Sequence, residues 1–161
     1  MGRVSTGSYR FGDLLALARA SWVAQMAAAL EERGYPGYRR TDAWIMRRLL
    51  AGPLAITQVG PLLNVTRQAG RKFVSGLLDR GYATTEPDPH DGRRMNVILT
   101  AAGHAYAAAV AEAMGSLNQA LVDQVDPGDL AAADRVLRAV LDEGTRRRAD
   151  QGIAPPPAGP R

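Results

Sequence analysis

Apolar residues recur every third or fourth position through most of this chain, the spacing of amphipathic helices, and alternate with polar ones only in its middle. Over residues 9–33, Phe11, Leu15, Ala18, Trp22, Met26 and Ala29 keep the helical spacing. Gly34 then acts as a C-terminal cap, and Tyr35, Pro36 and Gly37 prevent continuation. A second helix opens with Thr41 as N-cap and carries Trp44, Ile45, Leu49 and Leu50 to a stop at Gly52 and Pro53. Residues 54–63 predict a third helix starting near Ile56 or Thr57. It should be short or irregular, because Gly60 and Pro61 lie in it and proline is harmless only in a first turn. Asn64, Val65 and Thr66 make a turn, and Thr66 caps a fourth helix over 67–80 that Gly81 ends.

At about 100° per residue, Ala69, Gly70, Phe73, Val74 and Leu77 fall on one side of the fourth helix. Gln68, Arg71, Lys72, Ser75 and Asp79 fall on the other, so one side is built to pack and the other presents donors and positive charge. Strands are expected over 82–86 and 94–99, joined by a run of turn formers, Pro87, Asp88, Pro89, His90, Asp91 and Gly92. Met95, Val97 and Leu99 alternate with Asn96 and Ile98, which gives this hairpin one apolar face. Thr100 caps a long Ala-rich helix to about Val122, and Asp126 and Pro127 open a last one with Leu130, Ala133, Leu137, Val140 and Leu141 on its apolar side. No internal repeat is evident.

The chain is thus mainly α with a small β-hairpin. A central helix-turn-helix and hairpin, 37–102, is flanked by long helices in 9–36 and 103–148. Residues 1–8 and the proline-rich 149–161 are expected to be disordered. The terminal helices have apolar faces too wide for the central unit to cover, so a second copy of the chain is the simplest cover and a homodimer is expected.

Composition narrows the class. The 161 residues are 46% hydrophobic and 22% charged, which is globular. No run approaches the roughly 18 to 20 apolar residues of a membrane span, and the first residues lack a signal-peptide core, so a cytoplasmic protein without a membrane partner is expected. The absence of cysteine excludes disulfides, thiolate metal sites and cysteine redox sensing. The net charge of +4 is modest, but the pI near 10.0 reflects arginine. Arg67, Arg71, Lys72 and Arg80 concentrate it in the fourth helix, and a basic helix beside a basic hairpin suits the phosphate-lined groove of duplex DNA. Arg146, Arg147 and Arg148 complement the end of the last helix.

Asp88, Pro89, Asp91, Arg93, Val97, Leu99, Thr100 and Gly103 follow the pattern Asp-Pro-x-Asp-x-Arg, an apolar residue, Leu-Thr and a Gly. That segment resembles the wing signature of the MarR (multiple antibiotic resistance regulator) family of winged-helix transcription factors. Val65, Thr66, Arg67 and Gln68, together with 77–81, are similar to that family's recognition helix. The resemblance implies a dimer with a winged helix-turn-helix on each subunit, usually a repressor that leaves a pseudo-palindromic operator when a small aromatic or anionic ligand enters a crevice between the dimer helices and the DNA-binding lobe. Two positions depart from the pattern. Gly70 replaces a larger apolar residue at a packing position, which requires either a closely approaching helix or a loosened one, and Gly60-Pro61 is likewise unusual.

On this reading Thr66, Arg67, Gln68, Arg71, Lys72 and Ser75 of the recognition helix face the major groove, where Arg or Lys reads guanine and Gln reads adenine. Asp91, Arg93 and Arg94 belong to the wing. Gly92 lets the turn be tight, the Asp91 carboxylate is expected to hold the Arg93 guanidinium extended, and the resemblance places that Arg in the minor groove. Trp22, Met26, Trp44 and Tyr106 are candidates for lining the ligand crevice, or plain core. His90 and His104 are far apart, no nucleophile motif surrounds Ser75, and no phosphate loop occurs, so neither an enzyme nor a metal or cofactor protein is expected. The alternative to a regulator is a winged-helix interaction scaffold without sequence-specific DNA binding; a third reading is an architectural DNA binder.

Overall fold

Six helices and three strands form among the described residues, which in this computed structural model are 10–63 and 65–150. In order they are α1 (Phe11–Glu32), α2 (Arg40–Leu50), β1 (Leu54–Ala55), α3 (Ile56–Leu62), α4 (Arg67–Asp79), β2 (Ala83–Pro87), β3 (Met95–Leu99), α5 (Ala101–Val122) and α6 (Pro127–Asp150). The expectations for 1–8, for Asn64 and for the stretch from 151 on fall outside the described residues, as does that for the Arg148 side chain. The fold class is the expected one: mainly helical, with a small antiparallel sheet.

Caps place most helix starts. Thr66 Oγ1 accepts the Ala69 N–H at 3.2 Å and Thr100 Oγ1 accepts that of Gly103 at 3.0 Å, each satisfying an otherwise orphaned donor of a first turn. Gly34 and Gly81 end α1 and α4 at φ of 83° and 71°, a region closed to most side chains. Three starts or ends differ from expectation. The N-cap of α2 is Arg39 and not Thr41, because Asp42, three residues on, accepts the Arg39 N–H at 3.1 Å and closes the turn one step earlier. α1 begins at Phe11, and α6 continues through Asp150.

The sheet has the order β1-β3-β2. β1 is a strand that the hydrophobic pattern does not announce, since two residues are too few to show alternation; it is held by pairing Leu54 with Val97 and Ala55 with Asn96. This third strand changes the environment of β3. Val97 is buried and Leu99 packs on the core as expected, but at the start of the strand Asn96 is buried at 6% exposure and Met95 is exposed, because β3 is central and the Asn96 amide is consumed by Asp88 at 3.0 Å.

A single core joins these elements. Met26 and Leu30 of α1, Ile45, Met46 and Leu49 of α2, Leu54, Val59, Val74, Leu77 and Val97, and Tyr106 and Val110 of α5 are all buried. Each such aliphatic side chain contributes about 1.5 to 3 kcal/mol. Outside that core the terminal helices stay uncovered. Phe11, Leu14, Leu15 and Leu17 of α1, Leu121 and Val122 of α5, and Val136, Leu137 and Val140 of α6 are exposed. α6 makes no broad contact with any other element.

Candidate nucleic-acid interface

The helix-turn-helix is set by a glycine pair. α3 is short, as its Pro61 requires, and α4 packs chiefly on it. A Cβ on Gly70 would stand 2.5 Å from the Gly60 nitrogen and 2.7 Å from its Cα, and one on Gly60 would meet the Thr66 carbonyl at 3.0 Å. The two positions that looked awkward singly are therefore two sides of one close backbone crossing, so the loosened-helix alternative does not apply. The Gly60 carbonyl also accepts the Val65 N–H at 3.0 Å, closing the turn.

With Gly70, Val74 and Leu77 buried on α3 and the core, the opposite side of α4 faces outward. Thr66, Arg67, Gln68, Arg71, Lys72 and Ser75 are all exposed. Thr66 is occupied as the cap, and Arg67, Arg71 and Lys72 form no ion pair with another described residue. Their charges are available to a partner. The sequence reading passed over Arg39, whose guanidinium lies across α4: a Cβ on Gly76 would sit 3.0 Å from its Nη1. It widens the cationic surface, and the absence of a side chain at Gly76 is the local signal that something rests there.

The hairpin tip is organised by Asp88. Its carboxylate accepts the N–H groups of His90 at 2.8 Å and Asp91 at 3.1 Å, and the Asn96 amide at 3.0 Å. The backbone bond from His90, and then the side-chain bond from Asn96, hold its carboxyl below the usual range. The Asp91 carboxylate does not hold the Arg93 guanidinium. One oxygen accepts the Arg93 backbone N–H at 3.2 Å, a short-range bond that turns the other oxygen onward to Arg94 Nε at 3.1 Å. Arg93 is left exposed and uncommitted, and Arg94 is the paired one.

α4 and the hairpin are joined to α5 by a buried polar cluster. Asp42, at 2% exposure, receives Arg80 Nη1 at 2.9 Å, Arg80 Nη2 at 3.1 Å and the Tyr106 hydroxyl at 2.8 Å. The Tyr106 ring stacks on Tyr82 with centroids 4.3 Å apart and tilts against Tyr35 at 5.3 Å, and the Arg80 guanidinium lies 5.2 Å from the Tyr82 ring centre. Burial and the neighbouring carboxylate push the Tyr106 hydroxyl pKa up. Beside the cluster, the Thr100 hydroxyl donates to the Gly81 carbonyl at 2.6 Å and the Thr100 N–H to that of Tyr82 at 3.2 Å. Any Cβ on Gly103 would collide with the Tyr82 carbonyl oxygen.

Solved structures share this arrangement. A probable transcriptional regulator from Pseudomonas aeruginosa is 25% identical, the match covering 81% of this chain and 96% of that one, with a TM-score of 0.67. MepR of S. aureus in complex with DNA is 18% identical over 84% of this chain and 99% of its own, at 0.72. A mutant of E. coli MarR complexed with operator DNA is 18% identical over 87% and 99%, at 0.69. The chain has the fold of the MarR family. No protein-family model matches the sequence, and no curated protein matches it.

Within the MarR fold α4 is the second helix of the helix-turn-helix, and the β2–β3 hairpin is the wing. Three of the four residues considered for a ligand crevice or plain core lie in or against the core. Met26 and Tyr106 are core, the Tyr106 hydroxyl being spent on Asp42; Trp22 is half-buried against the core, and Trp44 is half-buried apart from it. A groove of about 290 Å³ lies between α2 and α5, walled by Met46, Leu50, Val110 and Met114, with Arg47 beside them. Trp22, Met26, Trp44 and Tyr106 do not line it. Arg47 Nη2 sits 3.7 Å from the Met114 sulfur. Among the described residues no helix is long and apolar enough to cross a membrane, and no three His, Asp or Glu side chains are arranged to hold a metal ion.

Proposed function

We propose that the chain is a dimeric, sequence-specific DNA-binding transcriptional regulator, acting as a repressor that a small aromatic or anionic ligand releases. The observation that carries this reading is the outward row of uncommitted donors on α4, Arg67, Gln68, Arg71 and Lys72, beside the uncommitted Arg93 on the wing. α4 enters the major groove, where each good bidentate pair discriminates by about 1 to 3 kcal/mol. Arg93 enters the adjacent minor groove, whose potential attracts arginine. Structures of MepR and MarR with DNA, sharing this fold, support the docking.

Dimerisation is supported by the apolar rows left exposed on α1 and α6, among them Phe11, Leu14, Val136, Leu137 and Val140. A second copy covers them, and sedimentation at micromolar concentration is expected to give the dimer mass. The ligand is supported by the groove between α2 and α5. Its volume of about 290 Å³ is near the lower end for small-molecule sites, roughly 300 Å³, and Arg47 beside apolar walls suits a small carboxylate.

Selection of genomic fragments by the purified protein at two salt concentrations tests the reading. Enrichment of a pseudo-palindrome with half-sites roughly 34 to 36 Å apart is expected. A featureless, salt-sensitive background would instead indicate architectural binding, and no enrichment would leave an interaction scaffold.

A further inference from the structure

α4 packs mainly on α3, and Arg80 ties its C-terminal end to α2. Arg80, directly after α4, forks onto Asp42; Asp42 in turn accepts from Tyr106, which is 1% exposed in the middle of α5's buried side. The fork is bidentate, so it fixes the direction of the guanidinium as well as its distance. The carboxylate also takes the Arg39 N–H at 3.1 Å, which fixes the start of α2 in the same place. The Asp42 side chain thus joins α2, the end of α4 and α5. No buried polar side-chain atom among the described residues lacks a partner, so the cluster is fully satisfied as it stands.

From Arg67 to Arg80 the helix spans about 20 Å at 1.5 Å per residue. A tilt of about 10° about Arg80 therefore moves Arg67 by about 3.4 Å, the rise of one base step. Orientation at the cluster converts directly into register on DNA.

We propose that Asp42, acting through Arg80 and Tyr106, is the positioning group that sets the half-site spacing the paired α4 helices accept. This rests on the dimeric DNA-binding reading above. Asp42 touches no nucleic acid; it holds the angle between the reading helix and the helix that leads to the dimer faces. Apolar packing alone would permit a range of tilts, whereas a forked ion pair with a third donor permits one.

The chain has no cysteine, so Ser75→Cys and Ser116→Cys, both exposed, place two spin labels uniquely on α4 and α5. Diluting the labelled chain with unlabelled full-length chain isolates the distance within one subunit. Tyr106→Phe keeps the stacked rings and removes one donor; Arg80→Lys keeps the charge and removes the fork. In both, the label distance is expected to broaden. Discrimination between the selected operator and one with a base pair inserted between half-sites should fall about tenfold, the scale of one charged hydrogen bond. Unlabelled chain with native Ser75 is used for the DNA arm. Leu30→Ala, a core truncation in α1 outside both the cluster and the groove, is expected to lower the melting temperature and leave spacing discrimination unchanged. Unchanged label distances, or broadened distances with undiminished discrimination, would overturn the proposal while the DNA reading stands. A parent chain that selects no paired half-sites would overturn the DNA reading, and this assignment with it.

Discussion

The two halves of this molecule solve opposite problems. The winged-helix lobe is locked from several sides, by the Gly60–Gly70 crossing, by Asp42 under Arg80, and by Gly103 against the Tyr82 carbonyl. The ends of α1 and α5 and the middle of α6 carry apolar residues that the chain itself leaves exposed, with Leu14 57% exposed and Val136 48%. The lobe must present a few side chains at fixed positions, which needs unique packing. The terminal helices need only a matching surface, which in the proposed dimer a symmetric copy provides. Substitutions in the lobe should therefore act on folding and on DNA, and substitutions in α6 on association.

The largest effect is expected at Gly103. A Cβ there meets a backbone oxygen that is already fixed by Thr100, so α5 must move away from the wing. Gly103→Val should cost about 3 kcal/mol, near the top of the range for overpacking, read as a lowered denaturant midpoint. A midpoint within error of the parent would mean that this junction is loose and the contrast between the halves is wrong.

On the other side of the contrast, Leu137→Asp puts a charge on the exposed apolar row of α6. The dimer dissociation constant is expected to rise about 100-fold in sedimentation equilibrium. Its monomer should keep the helical signal of the lobe, since α6 lends the lobe no broad contact.

How much of this contrast can be read from the chain depends on how far apart the interacting residues are. The caps at Thr66 and Thr100, the ends at Gly34 and Gly81, and the outward row on α4 come from neighbours within one or two turns, and periodicity exposes them. The Asp42 cluster does not show, because its partners lie 38 and 64 residues away and nothing local marks them. Asp42 is legible only as an acid at the head of a helix otherwise rich in arginine. Gly60 and Gly70 each look like a flaw alone and make sense only as a pair. β1 is too short to alternate, and missing it misplaced Asn96. At the wing the spacing from Asp91 to Arg93 suggested one ion pair, while the bond to the nearer backbone N–H turned the carboxylate to Arg94.

Gly70→Ala separates helix propensity from packing. Alanine gains about 1 kcal/mol in an isolated helix, but its Cβ would stand 2.5 Å from the Gly60 nitrogen. Backbone on both sides leaves no flexible group to yield, so a net loss of about 1 to 2 kcal/mol is expected in thermal unfolding. A stabilised variant would show that α3 and α4 slide freely. Arg93→Ala is a smaller perturbation of a different kind. Its side chain holds no described partner, so stability should be unchanged, operator affinity should fall about fivefold in a gel-shift titration, and the salt slope should drop by about 1. Equal affinity would remove the wing from the proposed interface.

Asp88 gives the smallest expected effect and tests whether the locking of the lobe extends to its tip. Its carboxylate accepts from His90, Asp91 and Asn96, and those bonds favour the ionised form, so its pKa is lowered on folding. A lowered pKa means that the unfolded wing binds the proton more readily than the folded one. The contribution of Asp88 is then fully present above the unfolded carboxyl value of about 3.9 and is lost as pH falls through the lowered folded value. In an NMR titration the His90 and Asp91 amides and the Asn96 side-chain amide should move together, with a midpoint below that of an unstructured aspartate, while signals from the Gly60–Gly70 crossing stay in place. Asp88→Asn should abolish that shared transition and shift operator affinity less than Arg93→Ala does. A shared midpoint at or above the unstructured value would mean that the tip is held by the strands alone, and that the rigidity of the lobe ends where β2 and β3 do.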